Sequence, residues 1–435
     1  YQKSKYGSQN YSTVYARGSL TLVDSDVGEI GLYNDRRVAI LVPGAADGTI
    51  GGAERFYEGL ANALRKNGCD VDLIHLVFNE SSFDTIQQGY AAFSQLDLDE
   101  YDLVISTKAP TYVVKHRNHI MYLIHTIRVF YDMFDVVFPN KDNTLIEQRN
   151  WIHKEDSKAF KQIKYRFSIA KEVSRRLRLW NDSDAEVLYP GVVVDGLYDH
   201  GIGDYFYMPG RLHAWKRVDL AIRAVRLSKL PLKLIISGTG EAEQSLRQLA
   251  EGDKRIEFVG RVEDEKLREL YAKSLAVPFL PLREDYGYVT LEAFASGKPV
   301  VTCTDSGEPV EFVIDGVTGL VCDPNPESIC LAFEQLWNDR KLAARMGKAG
   351  REKTAHVKWS HVADRLLEVG FPDIKVARLN KPVPLKVAVL DMQPIIPAVG
   401  GGRQRLLGLY HALGVDIQTR YVGTFDWPGE RFRRH

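Results

Sequence analysis

The chain has few cysteines, no long hydrophobic run and no excess of either charge. Its four cysteines (Cys69, Cys303, Cys322 and Cys330) lack the paired spacing of zinc sites, so free thiols in a reducing cytoplasm are expected. No apolar stretch approaches the roughly 20 residues that cross a bilayer, and the N-terminal residues lack a signal-peptide pattern. Lys+Arg and Asp+Glu each total 57, so the chain has no net positive charge that would favour binding to nucleic acid. These absences predict a cytoplasmic protein that binds no nucleic acid.

An alternation of strand and helix patterns fills most of the chain. The 435 residues suffice for two or three domains with separate cores. One alternating set begins at Arg37 and a second at Tyr205, which predicts parallel sheets covered by helices on both faces. We predict an α/β fold of two Rossmann-like, doubly wound domains, 37–195 and 196–372, that face each other across a cleft. Ligands bind where the carboxyl ends of such strands meet.

Three further regions lie outside these domains. Residues 1–36 carry no motif, and the chain begins at Tyr1, so we expect an N-terminal arm or the remnant of an upstream region. Residues 373–386 read as a Pro-containing linker. The segment 387–435 repeats the strand, loop length, Gly-Gly pair and helix face that begin at Val38, which predicts the truncated start of a second copy of the same unit.

Two glutamates, Glu284 and Glu292, flank Gly287 where an apolar run gives way to a helical pattern. We expect Glu284 before the helix and Glu292 in its first turn, with backbone N–H donors between them. That arrangement suits a ligand with both phosphate and sugar hydroxyls. The alternative is that Glu292 complements the helix dipole and Glu284 is a solvated loop residue.

Cations and glycines follow several predicted strands. Arg211 and Lys216 flank a strand end, where they could neutralise a diphosphate, although surface salt bridges are the alternative. Gly51-Gly-Ala-Glu-Arg55 opens the first helix, where glycine permits close approach of an anion; many such loops are only tight turns. Gly238-Thr-Gly240-Glu-Ala-Glu243 lacks the third glycine of a dinucleotide fingerprint, which excludes a nicotinamide site and leaves a loop that could pack near a nucleoside.

Other polar features leave alternatives open. His125 ends a predicted strand, where it could bind a sugar hydroxyl or phosphate or serve as a structural hydrogen-bonding group. Residues 149–178 carry ten Lys/Arg against three Asp/Glu, which fits either an anionic membrane or acceptor, or a solvated helix face. Several Asp-x-Asp pairs occur, but none follows a strand at the cleft, so no metal site is predicted.

Taken in order and spacing, these motifs resemble the family 4 retaining glycosyltransferases of the GT-B fold. The resemblance covers about residues 37–372. Besides the motifs already given, it rests on shorter runs: Ile124-His-Thr126, Tyr189-Pro-Gly191, Phe258-Val-Gly-Arg261, Leu291-Glu-Ala-Phe-Ala-Ser-Gly-Lys-Pro-Val300 and Asp315-Gly-Val-Thr-Gly-Leu320.

The resemblance implies transfer of a sugar from a nucleotide-diphosphate donor, with retention and without a metal or other cofactor. It implies that Arg211 and Lys216 hold the diphosphate, that Glu292 binds the ribose, and that Glu284 faces the donor sugar. His125 would lie near the sugar and acceptor. The implied catalytic residues are His125, Arg211, Lys216 and Glu284, and the implied donor-binding residues are Gly51, Gly52, Gly210, Gly238, Arg261, Gly287, Tyr288, Val289, Thr290 and Glu292.

Within the family, Ile-His-Thr followed by Arg128, Tyr131 and Asp132 resembles mannosyltransferases that assemble surface polysaccharides such as lipopolysaccharide. This implies GDP-mannose as the first donor to test and a glycan or lipid-linked acceptor, with peripheral contact at the inner face of the membrane through residues 149–178. One departure is Glu308, where the family often has a second glycine, and it puts the local loop shape in question.

Two other functions are compatible with the same motifs. A catalytically silent nucleotide-sugar binder or scaffold would need no leaving-group cations, so the presence of Arg211 and Lys216 argues against it. A GT-B epimerase acting on the donor itself would form its product without an acceptor.

Overall fold

The computed structural model describes residues 33–44, 52–192 and 194–374, with short strands at 14–15, 385–390, 417–423 and 433–434. Tyr1–Gly370 form one compact unit and Phe371–His435 a second. Most of the predicted arm, Gly51 and most of the predicted linker lie outside the described residues. None of the helices in the described part of the chain has the length and apolar character that a bilayer crossing needs.

The first half of the larger unit is built on a seven-stranded sheet in the order β1-β3-β2-β4-β5-β6-β7. Its pairs are parallel except β1–β3, and Val38 lies opposite both Val71 and Leu103. The strands are β1 Val14–Tyr15, β2 Arg37–Gly44, β3 Asp70–Val77, β4 Leu103–Ser106, β5 His119–Leu123, β6 Tyr165–Ser168 and β7 Glu186–Val187. Strand β7 includes only the first residue of the apolar run 187–190, although Leu188 N–H still donates to Ser168 O (2.9 Å).

The described residues between β2 and β7 form five α-helices. They are α1 Gly52–Lys66, α2 Phe83–Ser94, α3 Phe134–Val137, α4 Asn143–Gln162 and α5 Lys171–Asn181. The face of α1 that carries Phe56, Leu60 and Leu64, spaced for one side of a helix, is buried. Helix α5 begins after Ala170, which supplies no side-chain cap. Its first N–H groups therefore need acceptors from elsewhere.

The second half contains six parallel strands in two sets, β10-β9-β8 and β11-β12-β13. They are β8 Tyr205–Pro209, β9 Lys233–Ser237, β10 Ile256–Gly260, β11 Val277–Pro278, β12 Val300–Cys303 and β13 Gly319–Cys322. The sets join where Leu275 N–H donates to Tyr205 O (2.7 Å) and Tyr207 N–H to Ala276 O (3.0 Å). Strand β11 covers only two residues of the apolar run 276–280, and Phe279 N–H continues its backbone pairing by donating to Val301 O (2.8 Å).

The described residues from 194 to 370 form eight α-helices. They are α6 Val218–Leu227, α7 Glu243–Ala250, α8 Asp264–Ala272, α9 Tyr288–Ala295, α10 Pro309–Phe312, α11 Pro326–Asn338, α12 Arg340–Thr354 and α13 Trp359–Gly370. Helix α13 returns to the first half: the Trp359 and Phe56 ring centroids are 5.3 Å apart, and Asn118 Nδ2 donates to Gly370 O (2.9 Å). The last helix of the predicted 196–372 domain therefore packs on the other domain.

The smaller unit contains β14 Leu385–Leu390, β15 Ile417–Gly423 and β16 Arg433–Arg434. Strands β14 and β15 are parallel, and β15 and β16 are antiparallel. The strand predicted at Val387 is present, whereas the identity of this segment as a second copy stays a prediction.

Candidate functional site

A cavity of about 210 Å³ opens at the carboxyl end of β8. We call it the strand-end cavity. It brings together residues of the β8–α6 loop and of the loop that leads into α9. Its lining is Met208, Pro209, Gly210, Arg211, Leu212, Lys216, Val218, Phe279, Glu284, Gly287, Tyr288 and Val289. The two most informative sequence motifs thus meet at one place.

The central contact of the cavity is an ion pair between Lys216 and Glu284. Lys216 Nζ lies 2.6 Å from Glu284 Oε2, and the two side chains are 29% and 21% exposed. The ammonium also lies 5.5 Å from the centre of the Phe279 ring. A half-buried, charge-assisted pair of this kind holds the ammonium in one position inside the cavity.

Arg217 joins the β8–α6 loop to the chain segment that leads to Glu284. Its guanidinium binds both oxygens of Asp305 (2.8 and 2.6 Å) and donates to Leu280 O (2.7 Å) and Pro281 O (2.8 Å). Its backbone is left-handed, with φ 49°. Sequence reasoning missed Arg217, because its partner Asp305 is 88 positions away along the chain.

Arg211 lines the same cavity but is oriented more loosely. Its side chain is 71% exposed, and Nη2 lies 3.7 Å from Glu241. The guanidinium is therefore free to move toward a ligand at low cost. In the described part of the chain, no group of three or more His, Cys, Asp or Glu side chains is placed to hold a metal ion.

Helix α9 starts at the edge of the cavity because of Gly287. This residue is the N-cap with φ 81°, and a Cβ there would lie 2.6 Å from the Phe279 ring. Only glycine meets both conditions without strain. Since the helix begins at Tyr288, Glu292 lies in its second turn, and the expectation of a first-turn position was wrong.

Glu292 is buried behind the cavity and does not line it. Its Oε2 accepts a hydrogen bond from the Tyr271 hydroxyl (2.7 Å). Burial raises the pKa of this carboxyl above its ordinary value. Thr290 is also buried; its N–H donates to Gly287 O (2.9 Å), and its hydroxyl oxygen has no partner among the described residues.

The glycine-containing loops beside the cavity are joined by backbone hydrogen bonds. Gly210 N–H donates to Ser237 O (3.0 Å), and Gly238 N–H to Gly260 O (2.7 Å). Gly238 has φ 114°, and a Cβ there would lie 1.9 Å from Gly210 O. Gly238 thus supports the cavity wall without lining it. Arg261, next to Gly260, is exposed and does not line the cavity either.

His125 lies at the carboxyl end of β5, in the first half, and is not part of the cavity lining. Its Nδ1 is 2.8 Å from Thr126 O, so Nδ1 carries the proton and Nε2 is left as an acceptor. Burial, with help from the positive Lys108, lowers the pKa of His125 to about 4. The imidazole is therefore neutral at pH 7. Gly52 is the first residue of α1, and Gly51 lies outside the described residues.

A buried ionic cluster connects the first half to the cavity loop. Asp132 accepts from Arg128 (2.6 Å) and faces Arg176 Nε (3.0 Å), and Asp285 pairs with both Arg176 and Arg128. The Arg176 side chain is fully buried. Asp285 follows Glu284 directly, so the cluster fixes the loop that carries the cavity carboxylate. The sequence offered one signal, the position of Asp285 inside the two-glutamate motif.

Comparison with known proteins supports this architecture. Residues 203–353 match the family described as glycosyl transferases group 1. The chain is 24% identical over 389 residues to the alpha-1,3/1,6-mannosyltransferase ALG2 of Mus musculus, covering 70% of this chain and 89% of that protein. It is 26% identical over 157 residues to the O-antigen chain mannosyltransferase C of Escherichia coli, covering 35% and 42% respectively.

Solved structures of similar fold cover more than three quarters of the chain. The sucrose-phosphate synthase of Thermosynechococcus elongatus superposes with a TM-score of 0.65 at 17% identity, over 79% of this chain and 100% of that one. Anabaena HepE, solved in complex with UDP and glucose, superposes with a TM-score of 0.59 at 16% identity, over 77% and 98%. The predicted GT-B fold is confirmed.

Proposed function

We propose that this chain, which carries a glycosyltransferase group 1 domain on a GT-B fold, transfers a sugar from a nucleotide-diphosphate donor to a glycan or lipid-linked acceptor with retention. The observation that carries the proposal is the pairing of Lys216 with Glu284, at 2.6 Å, in the strand-end cavity. Arg211 and the start of α9 complete the same cavity.

The cavity suits the charge that develops in this reaction. As the bond between the anomeric carbon and the phosphate oxygen breaks, negative charge builds up on the departing diphosphate. Lys216 and Arg211 stabilise it, together with the N–H groups of Tyr288 and Val289, which as first-turn residues have no intrahelical acceptor. The proposal assigns this task to side chains and amides, without a metal or cofactor.

Retention follows when the acceptor attacks the same face that the phosphate leaves. The departing phosphate oxygen takes the proton of the acceptor hydroxyl while the acceptor oxygen bonds to the anomeric carbon. Charge and protons balance without a protein base. Glu284 then has two roles: it holds Lys216, and it accepts hydrogen bonds from sugar hydroxyls.

Three residues outside the lining have supporting roles in the proposal. Glu292, whose carboxylate accepts a hydrogen bond from Tyr271, is assigned to the donor ribose. His125 offers a neutral Nε2 acceptor to a sugar hydroxyl from the first half. Gly52, the first residue of α1, places the start of that helix toward the diphosphate in this proposal.

The donor and the cellular location are proposals of the same kind. GDP-mannose is the first donor to test, supported by relatives described as mannosyltransferases, and UDP-sugars are the second, supported by the HepE complex. We place the protein in the cytoplasm at the inner face of the membrane. Within the basic stretch 149–178, the exposed Lys154, Lys158 and Lys161 of α4, with the exposed Ile146 of the same helix, support that contact, whereas Arg176 is buried.

The test starts with a thermal-shift screen against GDP-, UDP- and dTDP-sugars, since a ligand that binds only the folded state raises its melting temperature. Turnover of the stabilising donor is then measured for Lys216→Ala and Arg211→Ala. Each loses about 100-fold or more, as for removal of other leaving-group stabilisers. Lys233→Ala, at the opposite end of β9, is the matched control and keeps wild-type turnover. Wild-type-like transfer by both cavity variants contradicts the assignment.

Product analysis separates the proposal from its alternatives. Slow release of free sugar from the donor without acceptor requires chemistry, so its absence at saturating donor indicates a silent binder. An epimerised donor indicates an epimerase. The anomeric configuration of the transferred sugar, read by NMR, decides between retention and inversion.

A further inference from the structure

Glu308 makes an unusual contact across the two halves of the larger unit. Its side chain belongs to the loop after β12, yet Oε2 accepts from Glu172 N–H in α5 (2.8 Å) and Oε1 accepts from the Tyr189 hydroxyl (2.9 Å). The residue is 1% exposed. Helix α5 has no side-chain cap of its own at Ala170. Glu308 therefore caps a helix of the opposite half.

The backbone of Glu308 reaches the strand-end cavity. Its N–H donates to Glu284 O (3.0 Å), and Glu284 N–H donates to Ser306 O (2.7 Å). The intervening Gly307 has φ 79°, and a Cβ there would lie 2.4 Å from Glu284 O. Glu308 itself has the helical angles φ −57° and ψ −31°, so the loop needs no second glycine. One residue thus links α5 to the carboxylate that holds Lys216.

We propose that Glu308 is a positioning residue that docks α5 of the first half onto the Glu284 loop and so aligns the strand-end cavity. This inference rests on the proposed function, because alignment matters only if the cavity binds the donor. The Glu308 carboxyl acts through Glu284 and does not touch the reacting atoms.

The surroundings of Glu308 make this docking sensitive to pH. Besides Tyr189 and Glu172, it is faced by Glu311 and Lys171, which pair with each other at 2.7 Å, and by the Tyr286 hydroxyl, which donates to Pro190 O. Burial raises the pKa of Glu308 to about 7, from an ordinary value of 4.5. The docked form therefore binds a proton between pH 4.5 and 7 that an undocked form does not. Docking is favoured below this range and weakens as pH rises through about 7.

The contact itself is tested by hydrogen exchange on the full chain, without any donor. In Glu308→Ala the Glu172 amide loses its acceptor, so its protection falls by about tenfold or more. Glu311→Gln breaks the neighbouring exposed ion pair and leaves that protection unchanged. Equal protection in wild type and Glu308→Ala overturns the cap.

The positioning role is tested by the pH profile of kcat/KM for the donor. In wild type the docking equilibrium weakens between pH 6 and pH 8, and kcat/KM for the donor falls with it, by at most about tenfold. Glu308→Gln is neutral at every pH: its amide oxygen still accepts from Glu172 N–H, and its NH2 donates to the Tyr189 hydroxyl oxygen in place of the original bond. This component of the profile is therefore absent in Glu308→Gln, whereas Glu308→Ala is impaired throughout. Parallel profiles of wild type and Glu308→Gln overturn the positioning role. If the wild-type protein neither binds nor turns over any donor, the proposed function is overturned instead. The hydrogen-exchange experiment then still tests whether Glu308 caps α5.

Discussion

At the scale of single residues, the site depends on side chains that never touch the cavity. Arg217 is the clearest case, since it holds Asp305 and two carbonyls of the chain that leads to Glu284. Without it, Lys216 and Glu284 would sit on two loops with fewer mutual contacts. The Lys216–Glu284 pair and the hydrogen bond from Leu282 N–H to Trp215 O (2.8 Å) would still join the two loops.

Arg217→Ala is expected to lower the free energy of unfolding by about 2 kcal/mol, because it removes charge-assisted bonds to partly buried acceptors. Urea denaturation measures the change. Arg223→Ala is the matched control: its pair with Asp219 is long (3.9 Å) and exposed, so its loss costs less than about 1 kcal/mol. Equal losses in the two variants would show that Arg217 is an ordinary surface cation.

Sequence reasoning found residues whose chemistry is local and missed those whose partners are distant. Lys216 and Glu284 were predicted because each stands beside a strand end and a helix start. Arg217 and Arg176 were missed because their acidic partners lie 88 and 109 positions away. Nothing in a local pattern tells a buried bidentate pair from a surface charge.

At the scale of elements, glycines at the ends of β8, β9 and β10 allow the backbones of these three strand ends to approach closely. Backbone hydrogen bonds join these strand ends: Gly210 N–H donates to Ser237 O, and Gly238 N–H donates to Gly260 O. The strands themselves could be predicted from their apolar runs, and α6 could be predicted from the helical spacing of apolar residues over Val218–Leu227. The start of α9 could not, because it depends on the left-handed backbone of Gly287 and its fit against Phe279.

Gly238→Ala is expected to destabilise the protein strongly, since the new Cβ would lie 1.9 Å from Gly210 O. Gly252→Ala is the matched control: it also has a positive φ (80°), but nothing lies within 4 Å of its Cβ. The control should lose about 1–2 kcal/mol from backbone strain alone, and Gly238→Ala clearly more. Similar melting temperatures for the two variants would contradict the interlocking of these loops.

At the scale of the whole molecule, charged side chains join the two halves of the larger unit beside the site. The fully buried Arg176 pairs with Asp285, while Lys171 and Glu311 form an exposed pair across the same boundary. Helix α13 adds apolar contacts through Trp359 and Phe56. These contacts were beyond prediction, because they depend on how two separately patterned domains meet.

Asp285→Ala is expected to cost about 3–5 kcal/mol, because it leaves the cations of Arg128 and Arg176 buried with one acid between them. Lys171→Ala, at the same boundary, should cost less than about 1 kcal/mol. Unfolding followed by tryptophan fluorescence measures both. A small loss for Asp285→Ala would show that the cluster contributes little to joining the halves.

Histidines that stay neutral in the folded state set part of its response to acid. Burial lowers the pKa of His119 to about 3 and that of His153 to about 4, below the ordinary 6.5. The unfolded chain binds these protons first, so their contribution to stability is lost as pH falls from about 6.5 toward 4.

His153→Gln should therefore show a shallower fall of unfolding free energy over that range than wild type. Urea denaturation at pH 7, 6 and 5 measures it. Curves of equal slope would contradict the lowered pKa.

The most direct test of the central claim, that Lys216 and its neighbours grip a diphosphate, is the dissociation constant of UDP and GDP by calorimetry. For whichever nucleotide binds wild type, Lys216→Ala should bind about tenfold or more weakly, as expected for the loss of a charge-assisted contact. Lys233→Ala should bind as wild type does. Equal affinity in wild type and Lys216→Ala would contradict the account.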